Sequence, residues 1–285
     1  MKNPRTFLIT FLIAATTAAV IVRFVQFVAG IIDFNTGFFE YYAGTLKSLH
    51  YIILCIIIVG FLVLAIFEKK RKTIFFKKKL GHFDDTDTAI CGIMLLLAGF
   101  AVIYTAFTSG IAGLGFIEIL TVMFGTAAYG FSGGVLLFRR RTYPSVGLAF
   151  LALSVYYVVR LVFLFLENHI ILSMSEHLIR LLTVIMLALF YLSAGRMFMR
   201  AESKTTRIKA CVFGFFAVTV AVSEVMAKLI FLFGSPSVMR NNLIRSASTK
   251  FIMPDMLIAA ETIALLTILL TMLRRRPERV KAGDK

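Results

Sequence analysis

The sequence predicts an all-α fold, a polytopic membrane bundle of eight transmembrane helices with both termini on the cytoplasmic side. Three observations predict it. The chain of 285 residues is 59% hydrophobic and only 16% charged, with a mean hydropathy of +0.89; soluble domains run at roughly 45–50% apolar and about 25% charged. It divides into eight apolar windows, each near the roughly 20 residues that a bilayer core of about 30 Å requires. Finally, most of its basic residues cluster at every second gap between windows, as in the cytoplasmic loops of a membrane protein.

The first window, Thr6–Ile31, follows Lys2 and Arg5. It is longer than the 7–15 apolar residues of a signal peptide and has no small-residue cleavage site before a polar domain, so it reads as a retained helix. The second, Thr45–Phe67, returns to the basic stretch Lys69–Lys79. The third and fourth, Ala89–Thr108 and Ala112–Phe138, end on Arg139, Arg140 and Arg141. The fifth and sixth, Ser145–Leu166 and Ile170–Met199, lead into the cluster from Arg196 to Lys209, and Ile208–Phe233 and Met256–Leu273 lead to the basic tail from Arg274 to Lys285. The segments assigned inside hold 23 of the 31 basic residues.

The net charge of +16 is therefore a topology signal. A nucleic-acid binder would need those cations on a folded polar surface, which this chain lacks. Cys55, Cys91 and Cys211 all fall inside windows, so no external disulfide framework is implied. With no Trp, the interfacial aromatics come from Phe38, Phe39, Tyr41 and Tyr42 in the first outer loop. The longest outer loop, Ser235–Pro254, is basic through Arg240, Arg245 and Lys250, and reads either as an interfacial helix or as an ordinary flexible loop. Lys69–Lys79, with Ile74-Phe75-Phe76 between its two basic runs, reads as a surface anchor for anionic lipid.

An internal repeat is visible at the outer ends of the odd-numbered helices. Val22-Arg23-Phe24, Val159-Arg160-Leu161 and Ala227-Lys228-Leu229 each place one cation before an apolar and aromatic exit. The chain is expected to consist of four tandem helical hairpins, 6–80, 88–143, 144–207 and 208–285, within one integral membrane domain. Two-helix repeats share one orientation in the membrane, which argues against an inverted-repeat transporter.

Charges inside spans cost roughly 2.5–3.5 kcal/mol each at the helix centre on insertion scales, so each needs a reason. Arg23, Arg160, Glu176, Arg180, Glu224, Lys228 and Glu261 fall in the outer half, with Lys47, His50 and Glu118 at or beyond the outer edge. Glu176 with Arg180 and Glu224 with Lys228 stand four apart in the favourable acid-first order. Arg23 and Arg160 lack such a neighbour, and Glu118 and Glu261 are their expected partners. Small and polar residues line one stripe on three helices: Ala15, Ala19, Arg23, Gln26 and Gly30; Glu118, Thr121, Gly125, Ala128 and Ser132; and Ala210, Gly214, Ala217, Ala221, Glu224 and Lys228. Such stripes face the bundle. Two readings of the seven deep charges follow: a cavity open to the outside that binds a small polar solute or ion, or a structural layer of snorkelling cations and the acids that satisfy them.

Other chemistry fails on spacing. Gly130-Phe131-Ser132-Gly133 matches the Gly-x-Ser-Gly pattern of rhomboid-type proteases, but Ser132 is expected near the cytoplasmic end while His50 and His177 lie near the outer face. Packing is the expected role of this stretch. His50, His82, His169 and His177 show no metal-ligand spacing, and no phosphate-binding loop occurs, so no metal or cofactor is expected.

The loop Asp33-Phe34-Asn35-Thr36-Gly37-Phe38-Phe39, following a first helix that ends in Arg23-Phe24-Val25-Gln26, resembles uncharacterised multi-pass membrane proteins of anaerobic Gram-positive bacteria. The resemblance covers the first quarter of the chain. It implies a bacterial plasma membrane and carries no activity. The sequence thus leaves two function classes, a transporter-like binder of a small polar solute and a non-transporting sensor or assembly protein.

Overall fold

The computed structural model describes residues 4–29, 46–71, 85–108, 115–138, 143–168, 175–199, 206–234 and 252–273. They form eight helices: α1 (Pro4–Val28), α2 (Leu46–Arg71), α3 (Asp85–Thr108), α4 (Phe116–Phe138), α5 (Tyr143–Asn168), α6 (Ser175–Phe198), α7 (Thr206–Gly234) and α8 (Ile252–Leu273). No strand occurs among the described residues. The expected loop features at 33–39, 72–79 and 235–251 lie outside them.

Local chemistry sets several helix starts. Pro4 opens α1, where its missing N–H would be unpaired anyway. Glu118 reaches back to accept a 2.9 Å hydrogen bond from the Gly115 backbone N–H, half of a capping box. This cap starts α4 at Phe116, later than the apolar run that begins at Ala112. Asp85 and Asp87 lie in the first turn of α3, where the helix dipole favours acids.

Among the described residues, six helices are long and apolar enough to cross a membrane: α1 and α3 to α7. The apolar stretches found in the other two are shorter, Ser48–Val63 in α2 and Ala260–Leu270 in α8. The surface matches a lipid environment, because large apolar side chains point outward while charged ones are enclosed. Phe100, Met123 and Phe165 are 64%, 67% and 62% exposed, whereas Arg23 is 0% exposed. In water, that much exposed apolar surface would drive aggregation.

The helices α3 to α8 form a closed circle. Each packs on the next along the chain, and α8 completes it by packing on α3. The first two helices stand outside this circle: α1 packs on α7, and α2 rests on both α1 and α7. Phe61 of α2 bridges this corner, edge-to-face with Phe11 of α1 and stacked on Phe215 of α7. Helix α7 therefore belongs to both groups, and its stripe Ala210, Gly214, Ala217, Ala221, Glu224 and Lys228 is buried throughout. On α4 the stripe is buried from Gly125 to Ser132, but Thr121 is only half-buried and Glu118 is exposed.

Two hairpins share a crossing geometry. A Cβ on Gly133 of α4 would lie 2.9 Å from the Gly92 carbonyl oxygen of α3, and one on Gly92 would lie 3.1 Å from the Gly133 oxygen. Gly147 of α5 and Gly195 of α6 repeat this reciprocity at 3.1 Å each way. In both hairpins the residue four positions after each glycine covers the partner glycine: Leu96 and Leu137 in the first, Leu151 and Met199 in the second. Glycine here lets two backbones approach closely, the usual device for helix pairs in lipid.

Candidate functional site

The charged side chains sort into two centres. The first is at the α1–α7 interface near the helix ends. Arg23 meets Glu224 at two points, Nε to Oε1 at 2.7 Å and Nη2 to Oε2 at 3.2 Å. Its Nη1 donates to Gln26 Oε1 at 3.4 Å, and its guanidinium lies 5.2 Å from the Phe27 ring centroid. A planar guanidinium suits this contact because it offers parallel donors to a carboxylate in a dry setting. Thr16 and Thr219 join the same two helices at 3.3 Å.

This arrangement corrects the expected pairings. Arg23 turns to Glu224, not to Glu118 or Glu261, because α1 packs on α7. Glu118 is occupied at its own helix start. The acid four residues before Lys228 is thus committed across the interface. Lys228 is buried and Arg180 half-buried, each with interactions of its own. Glu176 lies in α6, and its side chain is outside the described set.

His50, on α2, is fully buried beside this pair, and among the described residues neither ring nitrogen has a hydrogen-bond partner. Its electrostatic neighbour is Arg23.

The second centre fills the interior of the six-helix circle. Glu261 of α8 is 3% exposed. Its Oε2 accepts from the Tyr129 hydroxyl of α4 at 3.1 Å, and its Oε1 from the Tyr191 hydroxyl of α6 at 3.2 Å. Tyr129 in turn accepts a 2.5 Å hydrogen bond from the Tyr157 hydroxyl of α5, since its own proton is given to Glu261. All four residues lie towards the middle of their helices. Arg160, one turn along α5 from Tyr156, donates to that tyrosine's hydroxyl at 3.0 Å. Arg160 and Glu261 thus face one tyrosine cluster from two sides without touching, and among the described residues Glu261 forms no ion pair.

Ring packing holds the hydroxyls in place. Tyr157 stacks on Tyr191 with centroids 5.8 Å apart and planes 8° from parallel. Tyr156 packs against both Tyr129 and Tyr157, at 5.5 and 5.2 Å, and Phe150 and Phe190 flank Tyr191. Gly125 makes room: a Cβ there would lie 2.8 Å from the Tyr156 ring. These tyrosines are absent from the sequence-derived candidate list. The available signal is tyrosine in the middle of an apolar span, since a buried phenol hydroxyl needs a partner.

Ser132 donates to the Ala149 carbonyl oxygen at 2.9 Å, and Gly133 packs on Gly92. This stretch of α4 therefore works in helix packing. Among the described residues, no three His, Cys, Asp or Glu side chains group to hold a metal ion. No protein-family model matches the chain, and no curated protein or solved structure is significantly similar to it.

Proposed function

We propose that the chain spans the membrane eight times with both termini cytoplasmic, and is a transporter-like protein that binds a small polar solute or ion from the outer side. The observation that carries this reading is Glu261: a buried carboxylate inside a helical circle, with hydroxyl donors on both oxygens and no cation in contact. An ionisable group at such depth is costly and marks a functional site by default. Arg160 on the far side of the tyrosine cluster supplies the opposite charge that a polar solute would bridge. The bilayer is that of a bacterial plasma membrane, in keeping with the resemblance of the first quarter, and Lys69–Lys79 rests on anionic lipid. The reciprocal glycine crossings support reading α3–α4 and α5–α6 as two copies of one hairpin.

The test is thermal stability in detergent with and without a metabolite library, for the full chain and for Arg160→Ala and Glu261→Ala. A ligand at about 100 times its Kd stabilises the fold by about 2.7 kcal/mol. Wild type is expected to shift with one compound class and both variants to lose that shift. If no compound shifts wild type and both variants simply unfold, the reading fails.

A second reading has its own support. The Arg23–Glu224 pair is closed on itself, with Nε and Nη2 on the carboxylate and Nη1 on Gln26. That favours a structural role for this half of the charge set, as in a membrane sensor or assembly protein that works through helix contacts.

A further inference from the structure

We propose that Glu261 is a proton-exchange site, loaded and unloaded through the hydroxyl chain of Tyr157 and Tyr129, and that the proton is the cation this site takes. The inference rests on the transporter-like reading in one respect, that the proton would be its coupled ion.

The geometry argues from three sides. First, the carboxylate has no ionic partner among the described residues, although it is enclosed by protein. In such surroundings it persists as an anion only through its hydroxyl donors and the Arg160 charge beyond Tyr156. Arg160 is held by Tyr156 and does not lock the carboxylate into a salt bridge. Second, the chain can run in either direction, because a phenol hydroxyl both donates and accepts: Tyr157 donates to Tyr129 while Tyr129 donates to the carboxylate, and both bonds can reverse together. A proton arriving on the Tyr157 oxygen lets that hydroxyl pass its own proton to Tyr129, and Tyr129 passes its own to Glu261 Oε2. The acid O–H now donates to Tyr129, Tyr129 donates to Tyr157, and every bond in the chain is reversed. One proton has entered, one carboxylate has become a carboxylic acid, and no tyrosine has changed its net protonation. Release is the same sequence run backwards.

Third, the carboxylate sits against a row of packed rings. Tyr129 packs on Tyr156, Tyr156 on Tyr157 and Tyr157 on Tyr191. A metal ion or an organic ammonium would have to part them, whereas a proton requires no added volume. The surrounding helices present a consistent set of groups. Helix α3 brings the Cys91 thiol towards Tyr191, α4 brings Tyr129, α5 brings Tyr156, Tyr157 and Arg160, and α6 brings Tyr191. On α7 the charged residues are Arg207 and Lys209 in its first turn and, further along, Glu224 and Lys228, four apart on one face, with Glu224 turned to Arg23 of α1.

The test is infrared difference spectroscopy between neutral and acid pH on the full chain reconstituted in phosphatidylcholine–phosphatidylglycerol vesicles. Wild type is expected to gain a carboxylic-acid C=O band on acidification. Glu261→Gln should lose that band, and Tyr129→Phe and Tyr191→Phe should shift its frequency by removing one hydrogen bond each. If Glu261→Gln melts early, the two tyrosine variants carry the test. An identical spectrum in all variants overturns the proposal, as does a band displaced by sodium or tetramethylammonium at constant pH. A titrating band without any solute-induced thermal shift keeps the proton site and removes the solute reading. A solute shift without a titrating band does the reverse.

Discussion

Arg23 and Glu224 stand 201 positions apart in the chain and meet side-on, with two nitrogens of one guanidinium on two oxygens of one carboxylate. Each is the other's reason for being buried. Removing one strands the other, which costs about 3–5 kcal/mol for a buried pair. Arg23→Met and Glu224→Leu should each destabilise by that amount, and the double variant should recover most of it. Denaturation of the four proteins in detergent, read as a double-mutant cycle, checks this; additive losses would show that the pair is not coupled.

The hydroxyls around Glu261 predict a second cycle. Tyr129→Phe and Tyr191→Phe each remove a donor to a buried carboxylate, a loss of about 1.5–3 kcal/mol for a hydrogen bond to a charged group. In a Glu261→Gln background each loss should shrink, because the acceptor is neutral. Equal losses in both backgrounds would mean that the tyrosines act through ring packing alone.

Neighbouring glycines on α4 should behave oppositely. A methyl group on Gly133 would press on the Gly92 carbonyl oxygen, a backbone atom of α3 that cannot rotate away, whereas one on Gly134 meets nothing within 4 Å. Gly133→Ala is expected to cost about 1–3 kcal/mol through overpacking, and Gly134→Ala to leave the melting temperature unchanged or slightly raised. The two variants differ by one position, so a matching loss in both would reject the crossing geometry.

His50 makes an unusual prediction for a buried polar side chain. Among the described residues neither ring nitrogen has a hydrogen-bond partner, so His50→Leu removes no bond seen there and relieves a desolvated group. The variant should melt at or above the wild-type temperature. A clear loss would reveal a partner contributed by another segment or by bound water.

Cysteine labelling tests the surface assignment. Cys55 is exposed on α2, whereas Cys91 and Cys211 are buried. In vesicles a membrane-permeant maleimide should label Cys55 first, a charged maleimide should label none of the three, and denaturation should expose all of them. Rapid labelling of Cys55 by the charged reagent would place that face in water.

The spans were readable because each is a long apolar run, and lipid selects for that property in every helix separately. Helix ends at Thr108, Phe138 and Leu273 coincide with the ends of apolar windows. The start of α4 does not, because hydropathy runs from Ala112 while the described helix begins at Phe116, where Glu118 caps it. The charges of Arg23, Glu224 and Glu261 were conspicuous in the sequence because such residues are rare inside spans. Their partners were not, since pairing depends on which helices are neighbours. That α1 lies against α7 is a property of the whole assembly, and no feature of the Arg23 segment encodes it. Tyrosine is the opposite case: Tyr129, Tyr157 and Tyr191 are ordinary residues for an apolar chain, and only convergence on one carboxylate makes them a set.

The packing of α1 on α7 has a consequence in time as well as space. Ribosomes add about 5–20 residues per second, so the 201 residues separating Arg23 from Glu224 take roughly 10–40 s to appear. Throughout that interval a newly inserted α1 holds a guanidinium whose carboxylate has not yet been made. The first of the described helices is thus among the last to be settled, and closure of α8 onto α3 follows later still. Until then Arg23 must borrow water, lipid phosphate or an insertion factor as its counterpart.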